Sequence, residues 1–157
     1  MPIRIEQVQL SLAEHGFKAV HGYEEKIPEC VCLLKRQTLS TNRAVCIVQL
    51  SEIPNDIKSY ISSLRTRVAF KVGFFPLFWG LGLQVVILCP NITNGSFSPR
   101  DYVAKIDNQW AIVQSIFFVD PKKCEFVEGR TWGQFLTGKF QDTISKELQT
   151  SYAKVST

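Results

Sequence analysis

The sequence predicts an α/β (or α+β) domain in which a mixed sheet of five to six strands is flanked by helices in three layers. Two observations carry this prediction. Amphipathic helical segments alternate with strongly apolar strand segments along the chain, which is typical of layered α/β domains. In addition, the inner strand segments are apolar at consecutive positions, and strands that are apolar on both faces belong to sheets covered on both sides.

The composition fits a single folded domain. The chain has 157 residues, of which 45% are hydrophobic and 20% are charged, and both the length and the composition are ordinary for one globular domain. We assign residues 1–150 to this domain and expect residues 151–157, which are mostly small and polar, to form a flexible tail. The N-terminal segment carries charges and lacks an apolar core, so we predict no signal peptide.

The five cysteines predict a cytoplasmic protein with reduced thiols. They are odd in number and lie in apolar segments, a usage typical of a reducing compartment when no secretory signal is present. Cys30 and Cys32 are separated by one residue, whereas paired zinc ligands normally have a gap of two residues or more on a loop. We therefore predict core thiols, no metal site and no cofactor.

The N-terminal part of the chain reads as a helix, a short strand and a hairpin. Residues 2–14 carry an apolar stripe at helical spacing, and Gly16 suits the end of that helix. Residues 17–23 then form a short strand. Residues 30–37 and 43–50 are two strands joined by a short polar connection.

The pairing of this hairpin decides which side chains share a face of the sheet. We expect symmetric pairing about the connection, with alternate residues of each strand on one face. One face then holds Cys30, Cys32, Leu34, Cys46, Val48 and Leu50. The other face holds Val31, Leu33, Val45 and Ile47.

The second half begins with a helix that leads into a buried strand. Pro54 suits the first turn of the helix, and the helix should end before Gly73. Residues 81–89 form the strand, which we expect to lie parallel to residues 43–50 because a helix connects them. The remaining elements are a strand at 110–119, an edge strand at 124–127 and a helix at 131–149 with a capping box at its start.

One apolar stretch, residues 72–89, is long enough to cross a membrane as a helix. Gly73, Pro76, Gly80 and Gly82 interrupt it, and these residue types disfavour a continuous helix. We therefore predict an aromatic loop followed by the buried strand, and no transmembrane span.

The aromatic loop and the helix before it supply the predicted binding residues. The loop contains Phe74, Phe75, Phe78 and Trp79, and the predicted basic rim consists of Arg65, Arg67 and Lys71. Aromatic residues anchor protein interfaces, although the last helix of the same chain can also cover such a loop. We predict a non-catalytic protein-interaction or assembly module, rather than an enzyme, which binds a protein partner or a second copy of itself.

Two alternatives remain open. The order helix, three strands, helix, strand over residues 3–89 resembles the core of restriction-endonuclease-like proteins, which implies a nucleic-acid-binding or degenerate nuclease-like protein. Such nucleases carry E-x-K or Q-x-K on the third core strand, whereas this chain has Gln49, Leu50 and Ser51 there, with Glu29 or Glu52 as the acids. The other alternative is peripheral attachment to an anionic membrane surface through the basic and aromatic residues.

Overall fold

A computed structural model describes residues 4–38, 42–73, 80–92, 111–130 and 138–154. These residues form a mixed sheet with helices on both faces, which confirms the predicted α/β fold class. The helices are α1 (Ile5–Ala13), α2 (Ile57–Val72) and α3 (Gly138–Gln149). The strands are β1 (Lys18–Ala19), β2 (Cys30–Gln37), β3 (Asn42–Gln49), β4 (Leu81–Leu88), β5 (Ala111–Asp120), β6 (Glu125–Arg130) and β7 (Ala153–Lys154).

The seven strands lie side by side in the order in which they occur along the chain. Strands β1, β2 and β3 pair antiparallel, and β3, β4 and β5 pair parallel. Strand β6 runs antiparallel to β5, and β7 runs parallel to β6. The prediction that β4 lies parallel to β3 is therefore confirmed, with α2 as the connection between them.

Local signals explain where α2 begins and ends. The Asp56 carboxylate accepts a hydrogen bond from the Ser59 backbone N–H at 2.9 Å, which satisfies a donor that the first turn leaves free. Gly73 has a φ of 69°, a left-handed conformation that favours glycine and ends helices. The helix therefore ends where the sequence predicted. It begins at Ile57, so the placement of Pro54 in the first turn was wrong, because Asp56 caps the helix two residues later.

The sheet separates two apolar cores, which gives the predicted three layers. Helix α2 packs on one face through Ile57, Ile61, Leu64, Val68, Ala69 and Val72. Helices α1 and α3 pack on the other face through Val8, Leu12, Phe140, Ile144 and Leu148. Strand β4 lies at the centre and all eight of its residues are buried, as expected for a strand covered on both sides.

The pairing of β2 with β3 differs from the symmetric prediction. Cys30 pairs with Val48 and Cys32 pairs with Ile47, so Val31 is the extra residue of a β-bulge. A bulge changes which face the following side chains occupy. Cys30 and Cys46 consequently lie in the core under α2, whereas Cys32 lies in the core under α1 and α3. The predicted shared face for Cys30 and Cys32 was wrong because both faces of β2 are apolar and the pattern alone does not define the register.

The sheet has more strands than the five or six predicted because it continues into the segment expected to form the tail. Ala153 pairs with Glu125, and Lys154 pairs with Phe126. Tyr152 is buried in the core under α1 and α3 and holds this strand in place. Residues 155–157 lie outside the described residues.

The apolar stretch at residues 72–89 ends in β4, as predicted. Across the described ranges, none of the helices has the length and apolar character needed to cross a bilayer.

Candidate functional site

The predicted aromatic residues Phe74, Phe75, Phe78 and Trp79 lie outside the described residues, so their role stays a prediction. The described chain does show what precedes them. Phe70 lies on α2, four residues before Phe74 in the sequence, and is 71% exposed. A large aromatic side chain with this exposure is unusual because such side chains are mostly buried.

The three predicted basic residues of α2 occupy different environments. Arg65 is nearly buried, and its Nη2 donates to the Ser62 hydroxyl at 3.3 Å. Arg67 donates to the Glu29 carboxylate at 2.5 Å and to the Lys26 carbonyl oxygen at 3.3 Å. The Lys71 ammonium lies close to the turn at Gly22. Arg67 therefore ties α2 to the segment that leads into β2.

Glu29 is the centre of this connection between α2 and β2. Its Oε1 also accepts a hydrogen bond from the Tyr60 hydroxyl at 3.2 Å. Burial alone would raise the pKa of Glu29. Hydrogen bonds from Arg67, from Tyr60 and from the backbone, together with the positive charge of Arg67, lower it instead. Burial, and then the Glu29 carboxylate, raise the pKa of Tyr60. The carboxylate is consequently ionised and engaged at neutral pH.

The residues that the nuclease resemblance singled out lie near one another at the end of β3. The Gln49 backbone N–H donates to the Glu29 carbonyl oxygen at 2.9 Å. Gln49, Ser51 and Glu52 are exposed. The Glu29 carboxylate instead pairs with Arg67 on α2, so it is not free to act as a ligand in this arrangement.

Four of the five cysteines are buried as predicted, and Cys124 is exposed. The Cys30 and Cys46 sulfur atoms are 3.6 Å apart across β2 and β3. The hydrogen bond between them lowers the pKa of Cys30 and, with burial, raises the pKa of Cys46. Within the described ranges no group of three histidine, cysteine, aspartate or glutamate side chains is placed to hold a metal ion.

The carboxyl ends of the central strands border an open groove of about 470 Å³. Gln49, Leu50 and Leu88 line it at the ends of β3 and β4, and Lys122 and Tyr152 line it from the other side. Carboxyl ends of parallel strands are a common place for ligands in α/β proteins.

Asp120 lies beside this groove at the end of β5 and is fully buried. Its carboxylate accepts backbone N–H bonds from Asn91 at 2.6 Å, Lys122 at 2.9 Å and Lys123 at 3.0 Å. Burial alone would raise the pKa of Asp120, but these three hydrogen bonds outweigh it and lower the pKa. Asp120 therefore joins the loop after β4 to the turn after β5.

A second polar cluster lies on the sheet face that α1 and α3 cover. Arg43 on β3 is only 9% exposed, and Arg36 on β2 is its direct cross-strand partner. Arg43 Nη1 donates to the Gln114 side-chain oxygen at 3.0 Å. Gly82 on β4 lies between Arg43 on β3 and Gln114 on β5. A Cβ atom at Gly82 would be 2.3 Å from Arg43 Nη1.

This polar cluster continues along β4 and β5. Gln84 and Ser115 are cross-strand partners with exposures of 2% and 0%. Among the described residues, the Gln84 Oε1 and Ser115 Oγ atoms have no hydrogen-bond partner, which is rare for buried polar atoms. The Gln141 side chain on α3 donates to the Gln114 carbonyl oxygen at 3.2 Å. The cluster is thus bounded by the sheet and by α3.

Sequence reasoning did not single out Arg36 and Arg43. Both flank the hairpin connection, where charged residues usually lie in solvent. The available signal was their position: Arg43 begins a strand that is otherwise apolar, and pairing about the connection places Arg36 near it. No protein-family model matches the chain, and neither the curated proteins nor the solved structures contain a significant match to it.

Proposed function

We propose that this protein is a non-catalytic interaction and assembly module that forms a homodimer through the C-terminal end of α2 and the aromatic segment that follows it. The exposure of Phe70, 71%, is the observation that carries the proposal. Phe74, Phe75, Phe78 and Trp79 follow closely in the sequence. An exposed aromatic side chain such as Phe70 is typical of protein interfaces, where aromatic residues supply contact area with few rotatable bonds.

The attachment of α2 to the sheet supports this role. One side of the helix is buried in the core, and Arg67 fixes it to Glu29. A surface held by a rigid element loses little conformational entropy when it binds. The exposed side of α2 therefore presents Phe70 in a defined position.

Light scattering coupled to size-exclusion chromatography tests the proposal. We expect a dimer for the wild-type protein and a monomer for Phe70→Ser and Trp79→Glu, with circular dichroism spectra unchanged. Leu10→Ser is the matched control because Leu10 is 68% exposed but lies on α1, on the opposite side of the sheet. A monomeric wild-type protein at every concentration, or dimeric Phe70→Ser and Trp79→Glu variants, would contradict the proposal.

The observed strand order favours nucleic-acid binding as a second candidate. Helix α1, the antiparallel strands β1 to β3, helix α2 and the parallel strand β4 follow one another as in the resemblance to nuclease-like cores. Salt-dependent DNA binding in the micromolar range supports this candidate. Mg²⁺-dependent cleavage that is lost in Gln49→Ala supports an active nuclease, whereas absence of binding and of cleavage removes the candidate.

Peripheral membrane attachment is the remaining alternative for the same surface. Flotation with anionic but not with neutral liposomes would replace dimerisation as the explanation of the exposed aromatic residue.

A further inference from the structure

The facing arginines on β2 and β3 are an unusual feature of this sheet. Arg36 and Arg43 are Cα partners in an antiparallel pair, so their side chains leave the same face side by side. Like charges directly opposite each other destabilise a sheet. Positions that break a local rule in this way are candidates for functional sites, and a ligand of opposite charge would compensate the repulsion.

No carboxylate in the described part of the chain forms an ion pair with either arginine. Two acidic residues on this side of the sheet, Glu128 and Asp142, pair with Arg130. Arg36 instead lies over the Phe140 ring at 5.2 Å, and Arg43 has the neutral Gln114 as its partner. Burial, and then the charge of Arg36, lower the pKa of Arg43, because both disfavour a positive charge at this position.

Gly82 leaves the space in which Arg43 lies. A Cβ atom at this position would be 2.3 Å from Arg43 Nη1 and 2.4 Å from the Gln114 Oε1. Because Gly82 has no side chain, the Arg43 guanidinium can cross β4 at this position and reach β5. A guanidinium carries five N–H donors in a planar fork, and the hydrogen bond to Gln114 uses one of them.

A second observation points to a ligand on the same face. Gln84 follows Gly82 at the next position of β4 that faces α1 and α3, and Ser115 is its partner on β5. Within the part of the chain that the structure describes, the buried Gln84 Oε1 is an acceptor without a donor, and the buried Ser115 hydroxyl is also unpartnered. A hydroxylated ligand would supply a donor for Gln84.

We propose that Arg36 and Arg43 bind a phosphate group, either free or carried by a small hydroxylated molecule as its monoester. Two guanidiniums match the double charge of a phosphate and can each offer paired N–H donors to its oxygens. The site lies on the sheet face opposite to α2, so it is separate from the proposed dimer surface.

NMR of the arginine Nε–H groups tests this site directly. The full chain is titrated with inorganic phosphate and, separately, with glycerol 3-phosphate, at constant ionic strength. The Arg36 and Arg43 signals should shift and saturate, whereas those of Arg4 and Arg67 should not. Tighter binding of glycerol 3-phosphate indicates a monoester, and tighter binding of inorganic phosphate indicates the free ion; both support the site.

Three variants make the test decisive. Arg43→Gln and Arg36→Gln should each weaken phosphate binding at least about tenfold, because each removes charged hydrogen bonds. Arg4→Gln removes the same charge from an exposed position and should leave binding unchanged. Arg36 is only partly buried, so its variant serves if Arg43→Gln does not fold. Equal binding by Arg36→Gln and Arg4→Gln, or shifts that never saturate, would overturn the proposal.

Phosphate binding and dimerisation are expected to be independent. The Phe70→Ser variant should bind phosphate as the wild-type protein does, whatever its oligomeric state. Loss of phosphate binding in Phe70→Ser would overturn the assignment to Arg36 and Arg43.

Discussion

Asp120 offers a sharp test of how this fold is held together, because one carboxylate serves two segments. Its Oδ2 accepts from the Asn91 N–H, and its Oδ1 accepts from the N–H groups of Lys122 and Lys123. Replacement by asparagine keeps the shape of the side chain but leaves only one oxygen. The amide nitrogen of Asp120→Asn must then face at least one backbone N–H, which is also a donor.

The cost of this replacement follows from the hydrogen bonds. Loss of a hydrogen bond to a charged group costs about 1.5–3 kcal/mol, and the bonds that remain weaken when the acceptor becomes neutral. The residues that cover Asp120, Pro121 to Lys123, are themselves exposed, so water can reach some of the freed donors. We therefore expect Asp120→Asn to lower the free energy of unfolding by about 2–4 kcal/mol. For a domain of this size that corresponds to a fall of roughly 5–12 °C in Tm.

Urea denaturation at several pH values is the assay. The folded-state pKa of Asp120 is lowered, so it lies below the unfolded value of about 3.9. A group with a lowered pKa stabilises the fold fully above the unfolded pKa and loses that contribution as the pH falls through the folded pKa. The difference in free energy of unfolding between the wild-type protein and Asp120→Asn should therefore be constant from neutral pH to about pH 5 and shrink below about pH 4.

Asp56→Asn is the matched control. Asp56 caps α2 by accepting from the Ser59 N–H, and asparagine is about as good a cap as aspartate. The urea midpoint of Asp56→Asn should remain that of the wild-type protein at neutral pH. The reasoning about Asp120 is refuted if Asp120→Asn is as stable as Asp56→Asn, or if its deficit does not change with pH.

Three further predictions concern stability, each measured by urea denaturation in phosphate-free buffer. Glu29→Gln should cost about 1 kcal/mol because its pair with Arg67 is partly exposed; this loss should fade as the pH falls below about 4, since the pKa of Glu29 is lowered. Gly82→Ala should cost about 1–3 kcal/mol because the new Cβ atom displaces the Arg43 guanidinium. Gln84→Leu should raise the free energy of unfolding by about 1 kcal/mol because it removes a buried acceptor that has no partner among the described residues.

Each of these predictions has an outcome that contradicts it. A Glu29→Gln deficit that grows at low pH would mean that the carboxylate is not held ionised by Arg67. Wild-type stability in Gly82→Ala would mean that Arg43 does not need the space above β4. A destabilised Gln84→Leu would mean that Gln84 Oε1 has a partner in solution.

Much of the fold was predictable because its signals are local. The end of α2 at Gly73 follows from the backbone freedom of glycine, and the buried strand β4 follows from its unbroken apolar run. The parallel pairing of β3 and β4 follows from the helix that connects them. Each of these features depends on neighbouring residues and on general rules of connection.

The sheet register was not predictable in the same way. Strand β2 is apolar on both faces, so a shift by one residue exchanges one apolar face for another. The bulge at Val31 separates Cys30 from Cys32, and nothing in the residue types marks it. Strand β7 was missed for a related reason, since the pairing of Ala153 and Lys154 depends on β6 rather than on their own propensity.

The sequence by itself therefore determined the fold class, the central strand and the C-terminal end of α2, and it indicated the aromatic and basic segment as a candidate surface. Only the tertiary structure decided that Arg67 pairs with Glu29 and that the Arg43 guanidinium lies over Gly82. The physical reason is that charge compensation depends on distances between residues far apart in the chain. Helix periodicity and glycine conformation depend only on near neighbours, so a single sequence contains them.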